Sequence, residues 1–168
     1  MATIRLVEGP VGAGKSTFAA KLGNRHGIPR LNLDEWMVVL FQPDRPAEGF
    51  MEWYGDCKQR CIEQIWRVAT DLLDVGSDVI LELGLVQYQN RSDFYSRVDA
   101  LGAQLKVYVL DVPKAERARR VTARNAEQGS TFQMTVSDEI FQLADSAWQM
   151  PDAAEMSERD IEIIGWRQ

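Results

Sequence analysis

The sequence is poor in the residue types that most often build metal sites and thiol chemistry. Its 168 residues include one histidine, His26, and two cysteines, Cys57 and Cys61. The cysteines are four residues apart in a segment of helical periodicity, where disulfide geometry is poor, so we predict two buried free thiols. A single histidine excludes a His-rich metal site and gives a histidine-based triad little support. We expect His26 to be solvated near the end of the first helix.

Long apolar runs and an excess of positive charge are also missing. No apolar run is long enough to span a bilayer, and the N-terminus has no signal-peptide hydrophobic core, so we expect a cytoplasmic chain with no membrane partner. The formal net charge is −6. It argues against nucleic acid as the main partner, because such affinity is largely phosphate neutralisation by Lys and Arg.

Segments of strand and helix character alternate along the chain, without an internal repeat or a linker. This alternation is typical of a doubly wound, mostly parallel α/β sheet, whose ligands bind at the carboxyl ends of the strands. A proline-containing loop is predicted over residues 41–49. The predicted strands are 3–8, 28–34, 78–85, 104–113 and 160–166, and the predicted helices are 15–25, 49–74, 90–101, 114–125 and 137–148.

The most specific motif is GPVGAGKS, which follows the first predicted strand and opens the first helix. Its glycines allow backbone N–H groups to converge on phosphates, and the helix adds the positive end of its dipole. The lysine reaches the β- and γ-phosphates, and the serine hydroxyl ligates Mg²⁺. The predicted nucleotide-binding residues of this phosphate loop are Gly9, Gly12, Ala13, Gly14, Lys15, Ser16 and Thr17.

GPVGAGKST, together with LNLDEW, DVILELGLVQYQNR and LDVPKAERARRVTARN, resembles the small P-loop kinases. That group is typified by gluconate kinases, polynucleotide 5′-kinases, chloramphenicol phosphotransferase and zeta-type toxins. The resemblance implies a P-loop NTPase three-layer sandwich with a five-stranded, mostly parallel, nucleoside-monophosphate-kinase-like sheet. It also implies one domain over 1–168, an acceptor-side helical region over about 35–75 and a helical lid over about 114–136. ATP and Mg²⁺ are the implied cofactors.

Asp34 follows the second predicted strand, in LNLDEW. In the resembled group an aspartate at this position takes the proton from the acceptor hydroxyl, so the resemblance implies that Asp34 is the catalytic base. Many relatives carry an arginine where this chain has Met37, which weakens the parallel with polynucleotide kinases. The alternative is that Asp34 only caps a helix beginning at Glu35.

Glu82 lies in the third predicted strand, where relatives usually carry the aspartate that orients Mg²⁺ through water. The resemblance implies that Glu82 serves the metal together with Ser16, and the alternative is that it faces the substrate. An unpaired buried carboxylate in an apolar strand is costly, which favours a functional role. Arg91 matches an arginine that contacts phosphate or substrate in relatives, and a plain surface arginine is the alternative.

Three arginines in the fifth predicted helix, Arg117, Arg120 and Arg124, are three and four residues apart and share a face. The resemblance implies that Arg120 and Arg124 are lid arginines that neutralise charge during transfer, with Arg120 also binding the nucleotide. The roles of Arg117 and Arg119 stay open, and a solvated basic face is the alternative for the whole cluster. Residues 125–132 are the predicted tip of the lid.

Apolar and aromatic residues follow Asp34 as far as the first turns of the long predicted helix, and Arg45 is the only arginine within residues 35–54. We therefore expect an ATP-dependent kinase acting on a hydroxyl of a small molecule, with a metabolite or an antibiotic as acceptor. A polynucleotide or nucleotide-type kinase and a non-catalytic ATP-binding module are the alternatives, and a motor-type ATPase is the weakest. The predicted catalytic residues are Asp34, Lys15, Arg120 and Arg124. The predicted apolar wall comprises Trp36, Met37 and Phe41; Phe50, Met51, Trp53 and Tyr54 belong to the same acceptor-facing stretch, in which we expect Phe50 and Trp53 to be core residues.

Overall fold

A computed structural model describes residues 2–127 and 135–166. Within these residues, five strands form one sheet in the order β2-β3-β1-β4-β5. Every neighbouring pair is parallel, so the carboxyl ends of all strands meet at one edge. The strands are β1 (Thr3–Glu8), β2 (Arg30–Asn32), β3 (Val79–Glu82), β4 (Gln104–Asp111) and β5 (Ile161–Gly165).

Helices connect consecutive strands and leave the phosphate-loop edge of the sheet accessible to ligands. A short 3₁₀ turn, Gln42–Asp44, separates the second helix from the third. The α-helices are α1 (Lys15–His26), α2 (Leu33–Phe41), α3 (Phe50–Asp74), α4 (Tyr88–Leu101), α5 (Lys114–Glu127), α6 (Asp138–Ala147) and α7 (Ala153–Glu158).

Two apolar clusters lie on opposite faces of the sheet, as the alternation of side chains along a strand requires. On one face, Ile4 and Leu6 of β1 pack with α2, α3 and α4. On the other, Val7 packs with α1 and the neighbouring strands. The result is helices, sheet and helices in three layers, which confirms the predicted fold class.

Most predicted elements are found, with ends shifted by a few residues. β3 is shorter than its apolar run, because the chain leaves the sheet after Glu82 and turns at Gly84, whose φ is 61°. β2 is an edge strand that begins after Pro29, as a proline at a strand start favours. Helix α7 was not predicted. α2 lies mostly within the predicted helical region over about 35–75, but it begins at Leu33, inside the stretch expected to be strand.

The smaller predictions have mixed outcomes. Cys57 and Cys61 are buried free thiols and His26 is exposed, as predicted. The predicted lid tip over 125–132 lies largely outside the described residues. No helix within residues 2–127 and 135–166 is long and apolar enough to cross a membrane.

Candidate functional site

The phosphate loop joins β1 to α1, and its glycines adopt conformations that other residues rarely adopt. Gly9, Gly12 and Gly14 have φ values of 150°, 77° and 92°. A Cβ at Gly12 would lie 2.7 Å from the carbonyl oxygen of Arg117, so a larger residue would force the loop away from α5. Gly14 caps α1 without a side-chain hydrogen bond, which leaves the first N–H groups of the helix available to an anion.

Lys15 is the first residue of α1, and its ammonium turns back onto the loop. Its Nζ donates to the carbonyl oxygens of Gly9 at 2.8 Å and of the following residue at 3.1 Å. Burial lowers the pKa of Lys15, while the negative charges of Glu8, Asp34 and Glu82 oppose that lowering. These three carboxylates therefore all favour the charged form of Lys15.

Ser16 lies beside Glu82, the last residue of β3. The Ser16 hydroxyl donates to Oε2 of Glu82 at 2.9 Å, and Nδ2 of Asn32 donates to Ser16 Oγ at 3.3 Å. The other oxygen of Glu82 accepts from Nη1 of Arg30 at 2.9 Å. Glu82 is only 5% exposed, and both of its oxygens are paired. Because both oxygens have protein partners, burial of Glu82 does not by itself require a functional role, and its predicted service to the metal together with Ser16 stays a prediction.

Asp34 lies in the first turn of α2 and is exposed. The helix begins at Leu33, and its cap is Asn32, whose Oδ1 accepts from the backbone N–H of Glu35 at 3.0 Å. The alternative that Asp34 is a helix cap is therefore wrong. Its negative charge raises the pKa values of Lys15 and Arg124 against the lowering by burial. Asp34 thus lies within electrostatic range of the phosphate loop, and its predicted role as the catalytic base stays a prediction.

The two predicted lid arginines lie on the side of α5 that faces the phosphate loop. Arg120 donates from Nη1 to the carbonyl oxygen of Ala13 at 3.2 Å and from Nε to Glu116 at 2.8 Å. Among the described residues, Nε of Arg124 is buried without a hydrogen-bond partner. Arg119, by contrast, is 70% exposed and pairs with Glu116, so the solvated-face alternative fits Arg119 only.

Arg117, whose role was open, is buried and supports the loop from below. Its Nη1 donates to the carbonyl oxygen of Val11 at 3.1 Å and its Nε to that of Val112 at 2.9 Å. Its Nη2 donates to Asp145 of α6 at 2.6 Å. Arg117 therefore ties the phosphate loop to α5 and α6.

The structure corrects both predicted roles of Arg91, a contact to phosphate or substrate and a surface arginine. It is fully buried, so it is not a surface arginine. Its guanidinium donates to both oxygens of Glu155, at 2.7 and 2.8 Å, and Tyr95 donates to the same carboxylate at 2.8 Å. With its charge satisfied by Glu155, Arg91 joins α4 to α7 and does not face a ligand.

The predicted acceptor side contains a continuous aromatic cluster from α2 and α3. Trp53 packs against Phe41 and Phe50, with ring centroids 6.4 and 6.0 Å apart, and Phe50 also contacts Tyr54 at 5.6 Å. The guanidinium of Arg45 lies 4.1 Å from the centroid of Phe50. The predicted wall is largely part of the core: Met37 is buried, and Trp36 and Phe41 are partly buried and pack against the core. Met51, in the same stretch, is 77% exposed.

Three residues of the site were not predicted: Glu8, Arg30 and Asn32. Glu8 ends β1 and is fully buried directly before the first loop glycine. Arg30 and Asn32 are two positions apart in β2, so both side chains point to the face that carries α1. The signal was present, since a carboxylate inside an apolar strand and two polar residues at alternate strand positions both need polar partners.

The donor set fits ATP and Mg²⁺. The glycine conformations, the uncapped start of α1 and the half-buried Lys15 are the features that bind a polyphosphate. The Ser16 hydroxyl and the Glu82 carboxylate are hard oxygen ligands of the kind that Mg²⁺ prefers. Arg120 and Arg124 add positive charge on the opposite side of the loop.

Comparisons with known proteins agree with this fold. A sugar kinase from Janibacter sp. HTCC2649 is 13% identical, with a TM-score of 0.66 over 100% of this chain and 87% of that one. A putative kinase from Chloroflexus aurantiacus is 16% identical, with a TM-score of 0.73 and coverage of 98% and 85%. The APS kinase of Mycobacterium tuberculosis, solved with AMPPNP and APS, is 18% identical, with a TM-score of 0.60 and coverage of 98% and 88%.

These solved structures share the fold and differ in the acceptors that their names give. No curated protein shows significant sequence similarity to the chain. The family model described as AAA domain matches residues 4–144, which is most of the sequence. The chain therefore belongs to the AAA domain family, and its fold is that of the P-loop kinases.

Proposed function

We propose that the protein is an ATP-dependent kinase that transfers the γ-phosphoryl group to a hydroxyl of a small molecule, a metabolite or an antibiotic. The observation that carries the proposal is the electrostatic link between Asp34 and the phosphate loop. Asp34 is an exposed carboxylate at the start of α2, and its charge acts on both Lys15 and Arg124. A protein that only binds nucleotide has no need of a carboxylate at that place.

On the donor side, the loop N–H groups and Lys15 hold the β- and γ-phosphates. Lys15 would exchange its present carbonyl partners for phosphate oxygens, which are stronger acceptors because they are charged. Arg120 and Arg124 neutralise the charge of the transferring group from the side of α5. Ser16 and Glu82 are the residues that would hold Mg²⁺, which supplies charge neutralisation to the phosphates when it is bound.

On the acceptor side, Asp34 accepts the proton of the attacking hydroxyl. The hydroxyl oxygen forms a bond to the γ-phosphorus as the bond from that phosphorus to the β–γ bridging oxygen breaks, and ADP leaves. An exposed aspartate can meet an incoming hydroxyl without rearrangement of the protein core.

The surroundings of Asp34 favour an acceptor that carries little negative charge. Burial, and then the charge of Asp34, raise the pKa of Tyr54, so this phenol stays a neutral hydrogen-bonding group near the proposed base. Arg45 is already stacked on Phe50. Aromatic faces next to a single carboxylate suit a neutral or cationic molecule with an apolar face.

The test compares Asp34→Asn with Asp44→Asn, which changes an exposed aspartate of the 3₁₀ turn after α2. Hydroxyl-bearing metabolites and antibiotics are first screened for ATP-dependent phosphorylation. With the acceptor so identified, we expect kcat of the Asp34→Asn variant to fall by a factor of about 10² to 10⁴, with nucleotide affinity retained. The Asp44→Asn variant should match the wild type.

Three outcomes would contradict parts of this proposal. Unchanged kcat in Asp34→Asn removes Asp34 as the base. Phosphorylation of a 5′-hydroxyl oligonucleotide in place of every small molecule supports a polynucleotide kinase. Nucleotide binding with no transfer to any acceptor class supports a non-catalytic module.

A further inference from the structure

β2 has two polar residues, Arg30 and Asn32, on the face of the sheet that carries α1. Both contact the two halves of the candidate site, which are the side of Ser16 and Glu82 and the first turn of α2. Arg30 donates from Nη1 to Glu82 at 2.9 Å and from Nη2 to Glu35 at 2.7 Å. Asn32 donates to Ser16 Oγ at 3.3 Å and accepts from the backbone N–H of Glu35 at 3.0 Å. Each of the two residues therefore has one partner at the metal side and one in the first turn of α2.

The hydrogen bonds of Arg30 complete a continuous path from the phosphate loop to α2. It runs from the Ser16 hydroxyl to Glu82, from Glu82 to Arg30, and from Arg30 to Glu35, the residue next to Asp34. Glu82 is 5% exposed and the Arg30 side chain 25% exposed, so solvent screens this part of the path only partly. Glu35, at the far end, is 43% exposed.

Arginine suits this place because its guanidinium is a rigid planar fork. Without Arg30, the carboxylates of Glu82 and Glu35 would repel each other. Because the guanidinium is rigid, a change in the direction of the Glu82 carboxylate would turn the whole group, and the bond to Glu35 would change with it. A lysine has one donor atom and a flexible chain, so it would not hold both carboxylates in a fixed relation.

We propose that Arg30 is a positioning residue that couples the nucleotide and metal side of the site to the first turn of α2. When Ser16 and Glu82 engage Mg²⁺ and nucleotide, Arg30 holds Glu35 and the start of α2 in one orientation. The orientation of Asp34, the neighbour of Glu35, thereby depends on the state of the nucleotide and metal side. The inference rests on the proposed nucleotide site but not on the identity of the acceptor.

Hydrogen exchange of the intact protein tests this coupling without an acceptor. Exchange of the amides of residues 35–41 is measured in the free protein, with ADP alone, and with ADP and Mg²⁺. In the wild type we expect Mg²⁺ with ADP to slow exchange by about tenfold, the effect of fixing one charge-assisted hydrogen bond. ADP alone should slow it much less, because Glu82 is not then engaged.

Two variants interrupt the path at different points. Arg30→Met removes the bridge, and Glu35→Ala removes its far end while the Asn32 cap, which uses the backbone N–H of Glu35, remains. Both should lose most of the Mg²⁺-dependent slowing. The matched control is Arg5→Met: Arg5 also bonds a carboxylate and is 25% exposed like Arg30, but its partner is Asp78, just before the start of β3, whereas Arg30 bonds Glu82 at the end of β3. Arg5→Met should behave as the wild type.

The quantity compared is the change in exchange rate that Mg²⁺ and ADP cause within each variant. A general loss of stability affects the free and the bound protein alike, so it does not produce the same result. Equal slowing in the wild type, Arg30→Met and Glu35→Ala overturns the inference, as does absence of slowing in a wild type whose Tm is raised by Mg²⁺ and ADP. If Mg²⁺ and ADP leave the wild-type Tm unchanged, the proposed nucleotide site itself is wrong, and the inference falls with it.

Discussion

Glu8 is the residue whose environment differs most from that of an ordinary carboxylate. It is fully buried at the end of β1, and one oxygen accepts from the backbone N–H of Leu85 at 3.1 Å. Its other oxygen has no partner among the described residues. Burial raises the pKa of Glu8 from 4.5 to about 7, although the charge of Lys15 opposes this. Glu8 therefore gains or loses a proton near neutral pH, directly beneath the phosphate loop.

This titration makes a pH-dependent contribution to stability. Between pH 4.5 and about 7 the folded state binds more protons at Glu8 than the unfolded state does, so stability falls as pH rises through that window. We expect Glu8→Gln to become more stable relative to the wild type between about pH 5 and about pH 8, by at most about 3 kcal/mol. Urea unfolding at a series of pH values measures this difference.

Glu48→Gln, at an exposed position, is the control, and its stability should follow that of the wild type over the same range. If the Glu8→Gln curve also stays parallel to the wild type, Glu8 does not titrate in the folded protein within this window.

At the scale of elements, the buried ion pair between α4 and α7 supports the loop after β3. Arg91 bonds Glu155 and also donates to the carbonyl oxygen of Leu85 at 3.4 Å. The N–H of Leu85 is held by Glu8. The segment between β3 and α4 is thus attached to both β1 and α7. These bonds restrain the segment that follows Glu82 in the candidate site.

Loss of the Arg91–Glu155 pair should strongly lower the stability of the folded protein. Arg91→Met leaves Glu155 as a buried carboxylate without a counter-charge, and we expect the free energy of unfolding to fall by about 3–5 kcal/mol. Chemical denaturation at neutral pH measures it.

Arg159→Met is the matched control. Arg159, directly after α7, pairs with Asp99 of α4, so this pair joins the same two helices, but its side chains are 26% and 56% exposed. We expect a loss of about 1 kcal/mol or less there. Comparable losses in the two variants would mean that the Arg91 pair stabilises the fold no more than a surface pair.

The elements that could be predicted from sequence are those with a long periodic pattern. α3, for example, begins and ends within one residue of its prediction. The start of α2 could not be predicted, because the helix follows a three-residue strand with no breaker between them. What ends β2 is the Asn32 side chain, which caps the helix, and a cap of this kind is recognisable only when the strand is known to be short.

At the scale of the whole molecule, the strand order puts the ends of β1, β2 and β3 side by side at the phosphate loop. The whole chain has a formal net charge of −6, while Lys15, Arg120 and Arg124 bring positive charge to the phosphate loop. Such a local concentration of positive charge suits a small polyphosphate.

Nucleotide binding should therefore be visible in the stability of the molecule as a whole. At a free concentration about 100 times Kd, Mg²⁺ and a non-hydrolysable ATP analogue should add about 2.7 kcal/mol, or about 5–10 °C in Tm for a chain of this size. A thermal melt with and without ligand measures the shift.

Lys15→Ala should lose most of that shift, because the loop would keep no ammonium for the phosphates. Lys21→Ala changes an exposed lysine of the same helix and should keep it. An equal shift in the two variants would show that the nucleotide binds elsewhere.

The sequence by itself determined the fold class, the place of the phosphate loop and the order of the main elements. These follow from glycine spacing and apolar periodicity, which are local properties of the chain. Only the tertiary structure decided which charges are paired. Glu82 is bonded by an arginine 52 residues away and Arg91 by a glutamate 64 residues away, and no local pattern selects such partners. That is why Arg91 belongs to the core, whereas Arg30, a residue without a motif, connects the two halves of the site.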